Sequence, residues 1–329
     1  MTHISTKYEM SASPCCPMKL ANTPVELITV NGQHFYLKRD DLLHPDFSGN
    51  KARKFYSLLQ QDLTGIDKII SYGSPQANSL HSLAVLAQLR QLSLDYYVDH
   101  IAAFMQQNPA GNYRAALANG ANILVAKRRV EQSPSMDDFI RQQVLPIEPR
   151  SLYIPEGGHY QAAEVGIKLL ADEIIQWAQG QGIVQLKVVL PSGTGTTALF
   201  LQKHFHHMAT QSETQVEVLT CACVGGDDYL RGQFSALVAD TALHPRILKS
   251  AKKYHFGKLY GEFYHIWQQL KQQTRVEFEL LYDPLGWLML LDYIADGDEL
   301  VRQVPVMYIH QGGLLGNETM LPRYLRKFG

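Results

Sequence analysis

Short segments rich in β-branched and aromatic residues alternate with longer stretches of helical period, and this alternation restricts the fold more than any other feature. The short segments lie at 34–39, 68–73, 93–99, 122–127, 186–193, 215–224 and 304–313. Between them, residues 79–92 place Leu80, Leu83, Leu86 and Leu89 at helical spacing, and residues 162–179 keep that period for about five turns. Strand, helix, strand at this spacing predicts crossover units and an α/β chain with mostly parallel sheets flanked by helices. Four strands run into glycine-containing turns before a helix: SYGSPQANS, IPEGGHYQ, LPSGTGTT and IHQGGLLGN. Ligand crevices lie at such carboxyl ends, where helix N-termini and free backbone N–H groups converge, so one site built from several of these turns is expected.

Composition narrows the partners. The 329 residues are 46% hydrophobic and 19% charged, with 30 basic against 31 acidic side chains. This is enough apolar material for about two domains and too balanced a charge to favour nucleic acid or an anionic membrane. There is no apolar run near 18 residues and no secretory pattern at the start, so a cytoplasmic protein acting on a small molecule is expected. The four cysteines, Cys15, Cys16, Cys221 and Cys223, form neither a zinc pattern nor a spaced disulfide framework. They are read as reduced structural thiols. KHFHHM (203–208) puts His204 and His207 on one helical face, but no HExxH or nearby carboxylate completes a metal site. The proline-bearing segment 130–151 is the candidate domain hinge.

Two segments carry reactive chemistry. In LPSGTGTTALF, the loop Gly193-Thr194-Gly195-Thr196-Thr197 joins a strand to an apolar helix, offering backbone donors, hydroxyls and a helix N-terminus to an anion. By itself it also reads as a glycine-rich turn with a capping threonine; it is neither a Walker loop nor a GxGxxG fingerprint. Lys51 follows Gly49-Asn50 at a helix start. The dipole there lowers an amine's pKa, favouring a nucleophile that condenses with carbonyl compounds, although a solvated lysine among Lys51, Arg53 and Lys54 is the plainer alternative.

These motifs occur together in one order. KRDDLLHPDFSGNKARKF, SYGSPQANS, GNYRAALANGANI, IPEGGHYQAAEVGIKLLADEI, PSGTGTTALF, YDPLG and IHQGG resemble the 1-aminocyclopropane-1-carboxylate (ACC) deaminase/D-cysteine desulfhydrase family. That family belongs to the fold type II enzymes of pyridoxal 5′-phosphate (PLP), the tryptophan synthase β-like group. The resemblance implies two domains: a large cofactor domain of residues 1–51 and 156–329, and a small one, 52–155, inserted in it. It implies that Lys51 holds PLP covalently and moves the substrate proton, with Asn50 beside it and Lys54 near the phosphate. Asn78 would hydrogen-bond the cofactor's 3′-oxygen, Gly193 to Thr197 would hold the phosphate, and Gln311 would face the pyridine nitrogen.

The departures fall on substrate positions. Gln76-Ala77-Asn78-Ser79 stands where the family usually has Gln-Ser-Asn, so Ala77 replaces a hydroxyl unless Ser79 supplies one. Asp283-Pro284-Leu285-Gly286 lacks the tyrosine that usually follows, leaving Tyr260 and Tyr282 as substitutes, with Tyr282 in a strand-like, buried FELLYDP. Gln311 replaces a threonine and can donate to the ring nitrogen without protonating it. His159 is a loop residue beside the crevice. The expected activity is a PLP-dependent lyase or deaminase of a small amino acid, ACC deaminase-like or D-cysteine desulfhydrase-like, releasing a 2-oxo acid and ammonia. The family suggests a homodimer. A PLP-binding protein with little turnover is the alternative, and a nucleotide- or sugar-phosphate-binding protein the third reading.

Overall fold

The computed structural model describes residues 21–47, 49–128, 133–297 and 302–329. Cys15 and Cys16, Ser48 and the start of the candidate hinge lie outside them. The strands are β1 (Val25–Val30), β2 (Gln33–Lys38), β3 (Lys68–Tyr72), β4 (Ser93–Val98), β5 (Ala121–Val125), β6 (Ser151–Tyr153), β7 (Gln185–Ser192), β8 (Gln215–Ala222), β9 (Arg246–Ile247) and β10 (Val306–Ile309). They form two sheets, ordered β1-β2-β10-β7-β8-β9 and β5-β4-β3-β6. Every pairing is parallel except the β1–β2 hairpin. The expected α/β class is therefore observed, and the short strands β1, β6 and β9 add to the sequence reading.

Parallel strands buried on both faces need apolar residues at successive positions. In β7, Leu186, Val188 and Leu190 pack with the helices Glu164–Gly180 and Thr196–Met208, while Val189 joins the opposite core. That opposite core brings Phe35, Leu37 and Tyr308 against the helices Gly261–Thr274 and Asp283–Asp296. The smaller sheet is covered likewise. Ile69, Leu94, Tyr96 and Val98 pack with the helix Asn78–Leu89. Ile70 packs with Met136, Phe139, Ile140 and Val144. The described part of the segment read as a hinge is thus a helical cover for that sheet, ending in β6.

The strand-like FELLYDP (278–284) corrects another expectation, because it pairs with no strand and its Asp283 already opens a helix. Side chains replace the ladder. The buried carboxylate of Glu279 accepts from the backbone N–H groups of Leu281 (2.7 Å), Tyr282 and Asp283 (2.7 Å), and Asn317 Oδ1 accepts from Leu280 N at 2.9 Å. Backbone donors satisfied in this way have no need of a neighbouring strand.

The KRDD run and the Lys51 helix are joined by a buried ion network. Arg53, 1% exposed, makes two hydrogen bonds to Asp40 (both 2.9 Å) and two to Glu173 (2.7 and 3.0 Å). Lys38 Nζ also donates to Glu173, at 2.7 Å, and Asp40 accepts from Thr23 Oγ1 at 2.7 Å. Alternation along the extended chain points Lys38 and Asp40 inward while Arg39 pairs with Asp41 and Glu26. The short helix Gly49–Lys54 is therefore fixed by Arg53, leaving Lys51 and Lys54 for other work.

Candidate active site

A cavity of about 360 Å³ lies between the carboxyl ends of strands from both sheets. The turns after β3, β6, β7 and β10 supply Gln76 to Ser79, Glu156 and Gly157, Ser192 to Thr197, and Gln311 with Gly312. Asn50, Lys51 and Lys54 enter from the helix Gly49–Lys54. Among the residues given a cofactor or substrate role from sequence, all but Tyr260 line this cavity. Tyr260 packs on Tyr254 and Phe263, and its hydroxyl accepts from His255 N at 2.9 Å. Its aromatic ring fits that cluster better than a polar wall, so the substrate role expected for it is not supported. His159 is also directed elsewhere, its Nε2 lying 3.0 Å from the Gln233 carbonyl. His204 meets the carboxylate of Asp172 at 2.7 Å, a partner not foreseen from sequence.

Gly49 brings the lysine helix into place. Its φ is +64°, and a Cβ there would lie 1.7 Å from the Gln311 carbonyl oxygen, so only glycine admits this approach. The contact lets Asn50 N donate to Gln311 O at 3.2 Å and Asn50 Nδ2 to Gln311 Oε1 at 3.0 Å. Gln311 Nε2 donates in turn to Pro191 O at 2.8 Å, which leaves one amide hydrogen. Loss of water around Lys51 lowers its amine to about 8, although Glu156 opposes the shift.

The loop after β7 is built as an anion cup. Thr196 begins a 13-residue helix, Thr194 Oγ1 lies 3.1 Å from Thr196 Oγ1, and Lys54 Nζ lies 3.4 Å from Thr194 Oγ1. Lys54 also donates to Gly157 O at 2.9 Å. Burial, and secondarily the ammonium of Lys51, hold the Lys54 amine well below its usual range. Thr197 Oγ1 is buried without a hydrogen-bond partner. An orphaned hydroxyl, a helix N-terminus and a desolvated lysine facing one space suit a phosphate.

The substrate side differs from the family pattern in a defined way. Ala77 occupies the N-cap of the helix Asn78–Leu89, and no side chain caps it. Ser79 is buried, its Oγ lying 3.4 Å from the Tyr96 hydroxyl, so it does not simply replace the missing serine at 77. Tyr282 stands beside Gly193, where a Cβ would lie 3.5 Å from the phenolic oxygen. Burial, with the carboxylate of Glu279, raises the Tyr282 phenol and keeps its proton on. Gly286 is enclosed: a Cβ would lie 2.6 Å from the Tyr308 hydroxyl. Two wall residues, Glu156 and Asn112, had no role assigned from sequence although both fall in quoted motifs. Asn112 lines a smaller cavity of about 110 Å³ that shares Asn50, Lys51 and Asn78 with the larger one.

No family model matches the chain. It is 24% identical over 296 residues to D-cysteine desulfhydrase of Serratia proteamaculans (strain 568), covering 86% of this chain and 87% of that protein. It is also 23% identical over 334 aligned positions to putative D-cysteine desulfhydrase 2, mitochondrial, of Oryza sativa subsp. japonica, covering 89% and 81%. A solved ACC deaminase homologue superposes with a TM-score of 0.72 at 20% identity, over 94% of each chain. Its sequence is thus similar to D-cysteine desulfhydrases and its fold to that of an ACC deaminase homologue. The same type II fold is shared with O-ureido-L-serine synthase at a TM-score of 0.65 and 12% identity, over 94% and 95% of the two chains.

Proposed function

We propose that the chain is a PLP-dependent lyase or deaminase that converts a small amino acid to a 2-oxo acid and ammonia. The observation that carries this is the pairing, in one cavity, of a lysine amine lowered to about 8 with an anion cup holding an unpartnered hydroxyl. Lys51 would bear the cofactor; Lys54, Thr194, Thr196 and Thr197 with the Gly193–Gly195 backbone would hold its phosphate, and Asn78 its 3′-oxygen. Bound there, PLP supplies the electron sink that acidifies the carbon bonds of an attached amino acid.

The remaining chemistry belongs to side chains of this chain. Lys51 Nζ is the base for the substrate proton, since a desolvated amine exchanges protons near neutral pH. The uncapped start of the helix Asn78–Leu89 offers backbone N–H groups to the substrate carboxylate, with Gln76 and Ala77 alongside. Tyr282 keeps its proton and so serves as a donor to a departing group rather than as a base. Gln311 is a neutral amide engaged with Pro191 and Asn50, which leaves the ring nitrogen without an acid partner and suits eliminations needing modest carbanion stabilisation. Binding without turnover is less well supported, because the curated relatives are named as desulfhydrases.

Borohydride reduction of protein loaded with PLP, followed by peptide mapping, tests the linkage; a pyridoxyl adduct on Lys51 is expected, and its absence sinks the proposal. A panel containing D-cysteine, D-serine and ACC, read by 2-oxo acid release, then tests the activity.

A further inference from the structure

Asn112 sits on the helix Gly111–Ala118, buried to 3% exposure. Its Nδ2 donates to the Gln76 carbonyl oxygen at 2.9 Å and to Asn78 Oδ1 at 2.8 Å. The chemistry of these partners removes the usual ambiguity of side-chain amides. A backbone carbonyl can only accept, so the end of Asn112 facing Gln76 is its NH₂. Both hydrogens of that NH₂ are then committed, and the end of Asn78 they meet is its oxygen. The Asn78 NH₂ is left as a donor on the other side. Gly313 makes room for it: its φ is +85°, and a Cβ there would stand 2.5 Å from Asn78 Nδ2.

We infer that Asn112 is a positioning residue that fixes the Asn78 side-chain amide with its donor end toward the ligand. The inference rests on the PLP reading above and deepens it. Asn78 would present N–H rather than C=O to the cofactor's 3′-oxygen, so the site selects the ionised form of that oxygen. The placement is fastened from outside the cavity. Gly111 N donates to Glu318 Oε2 at 2.8 Å, and Arg114 Nη2 to Glu318 Oε1 at 2.6 Å, which ties the helix bearing Asn112 to the C-terminal helix Asn317–Phe328.

The test compares the absorbance of PLP-loaded wild type with N112D, N112A and E318A, alongside thermal unfolding and PLP affinity. In N112D an acceptor replaces the donor, Asn78 turns its NH₂ toward residue 112, and its oxygen faces the cofactor. The visible band of the ionised 3′-oxygen form should lose at least half its intensity to the near-ultraviolet band of the protonated form. PLP affinity should fall roughly tenfold, about the worth of one hydrogen bond. N112A should show a smaller shift of the same sign, and the surface variant E318A a smaller one still. A merely structural role predicts lower unfolding temperatures with the wild-type spectrum, and that result in folded N112D or N112A overturns the inference. Should neither fold, an unmoved band in E318A overturns it. Wild type that takes up no PLP on Lys51 would instead overturn the reading beneath.

Discussion

At the residue scale, several groups are held in states unsuited to a purely structural purpose. Thr197 is one, since a buried hydroxyl without a partner costs stability. Thr197→Val should therefore leave the empty protein as stable or more stable by about 1 kcal/mol, while PLP binding weakens several-fold. Urea unfolding and a PLP titration read the two effects separately. Lys51 supplies a pH dependence. Below about 8 its amine is protonated and inert, and above that value it is free to attack. The rate at which the empty protein captures PLP should rise with pH through a midpoint near 8, and Lys51→Ala should abolish covalent capture. Both features were legible in the sequence, because lysine after Gly-Asn at a helix start and hydroxyls between glycines are unusual residue choices. That Tyr260 packs on Tyr254 and Phe263 was not legible, because local sequence does not reveal which side of a chain an aromatic ring will find apolar.

At the element scale, the lysine helix is held by charges rather than by its own length. Six residues make less than two turns and are marginal alone. Arg53→Met removes the cation from a pocket containing Asp40 and Glu173, leaving two buried carboxylates beside Lys38. Breaking such a network costs about 3–5 kcal/mol, and denaturant unfolding should show a loss of that order. The clamp was invisible in the sequence because Arg53 and Glu173 lie 120 residues apart, and only the fold joins them. The strand-like FELLYDP (278–284) forms no strand for a related reason. Its apolar residues suit one, but Glu279 and Asn317 take the backbone donors that a ladder would have used.

At the scale of the whole molecule, the cup and Lys51 belong to the region of the six-stranded sheet, whereas Asn78 and Glu156 follow strands of the four-stranded one. A ligand touching both should favour their close approach. We expect PLP with a bound amino acid to raise the unfolding temperature beyond PLP alone, by the mass-action relation that rewards binding to the native state. Calorimetry at fixed protein concentration checks this, and an unchanged transition would count against a shared ligand. The two parallel sheets and their carboxyl-end turns were readable from the alternation of strand and helix. The antiparallel edge β1 was not, because adjoining Leu27 and Ile28 break the alternation of its VELITV.

The enclosure of Gly286 bears on how this chain can change its chemistry. The position where the family resemblance would place a tyrosine is closed from behind by Tyr308, whose hydroxyl donates to Asp283 at 2.8 Å. No single substitution at 286 can place a phenol there without moving Tyr308, because even one added carbon would lie 2.6 Å from its hydroxyl and disturb its hydrogen bond to Asp283. A library that sets a tyrosine at 286 must also repack the residues behind it, so such a change takes at least two substitutions made together.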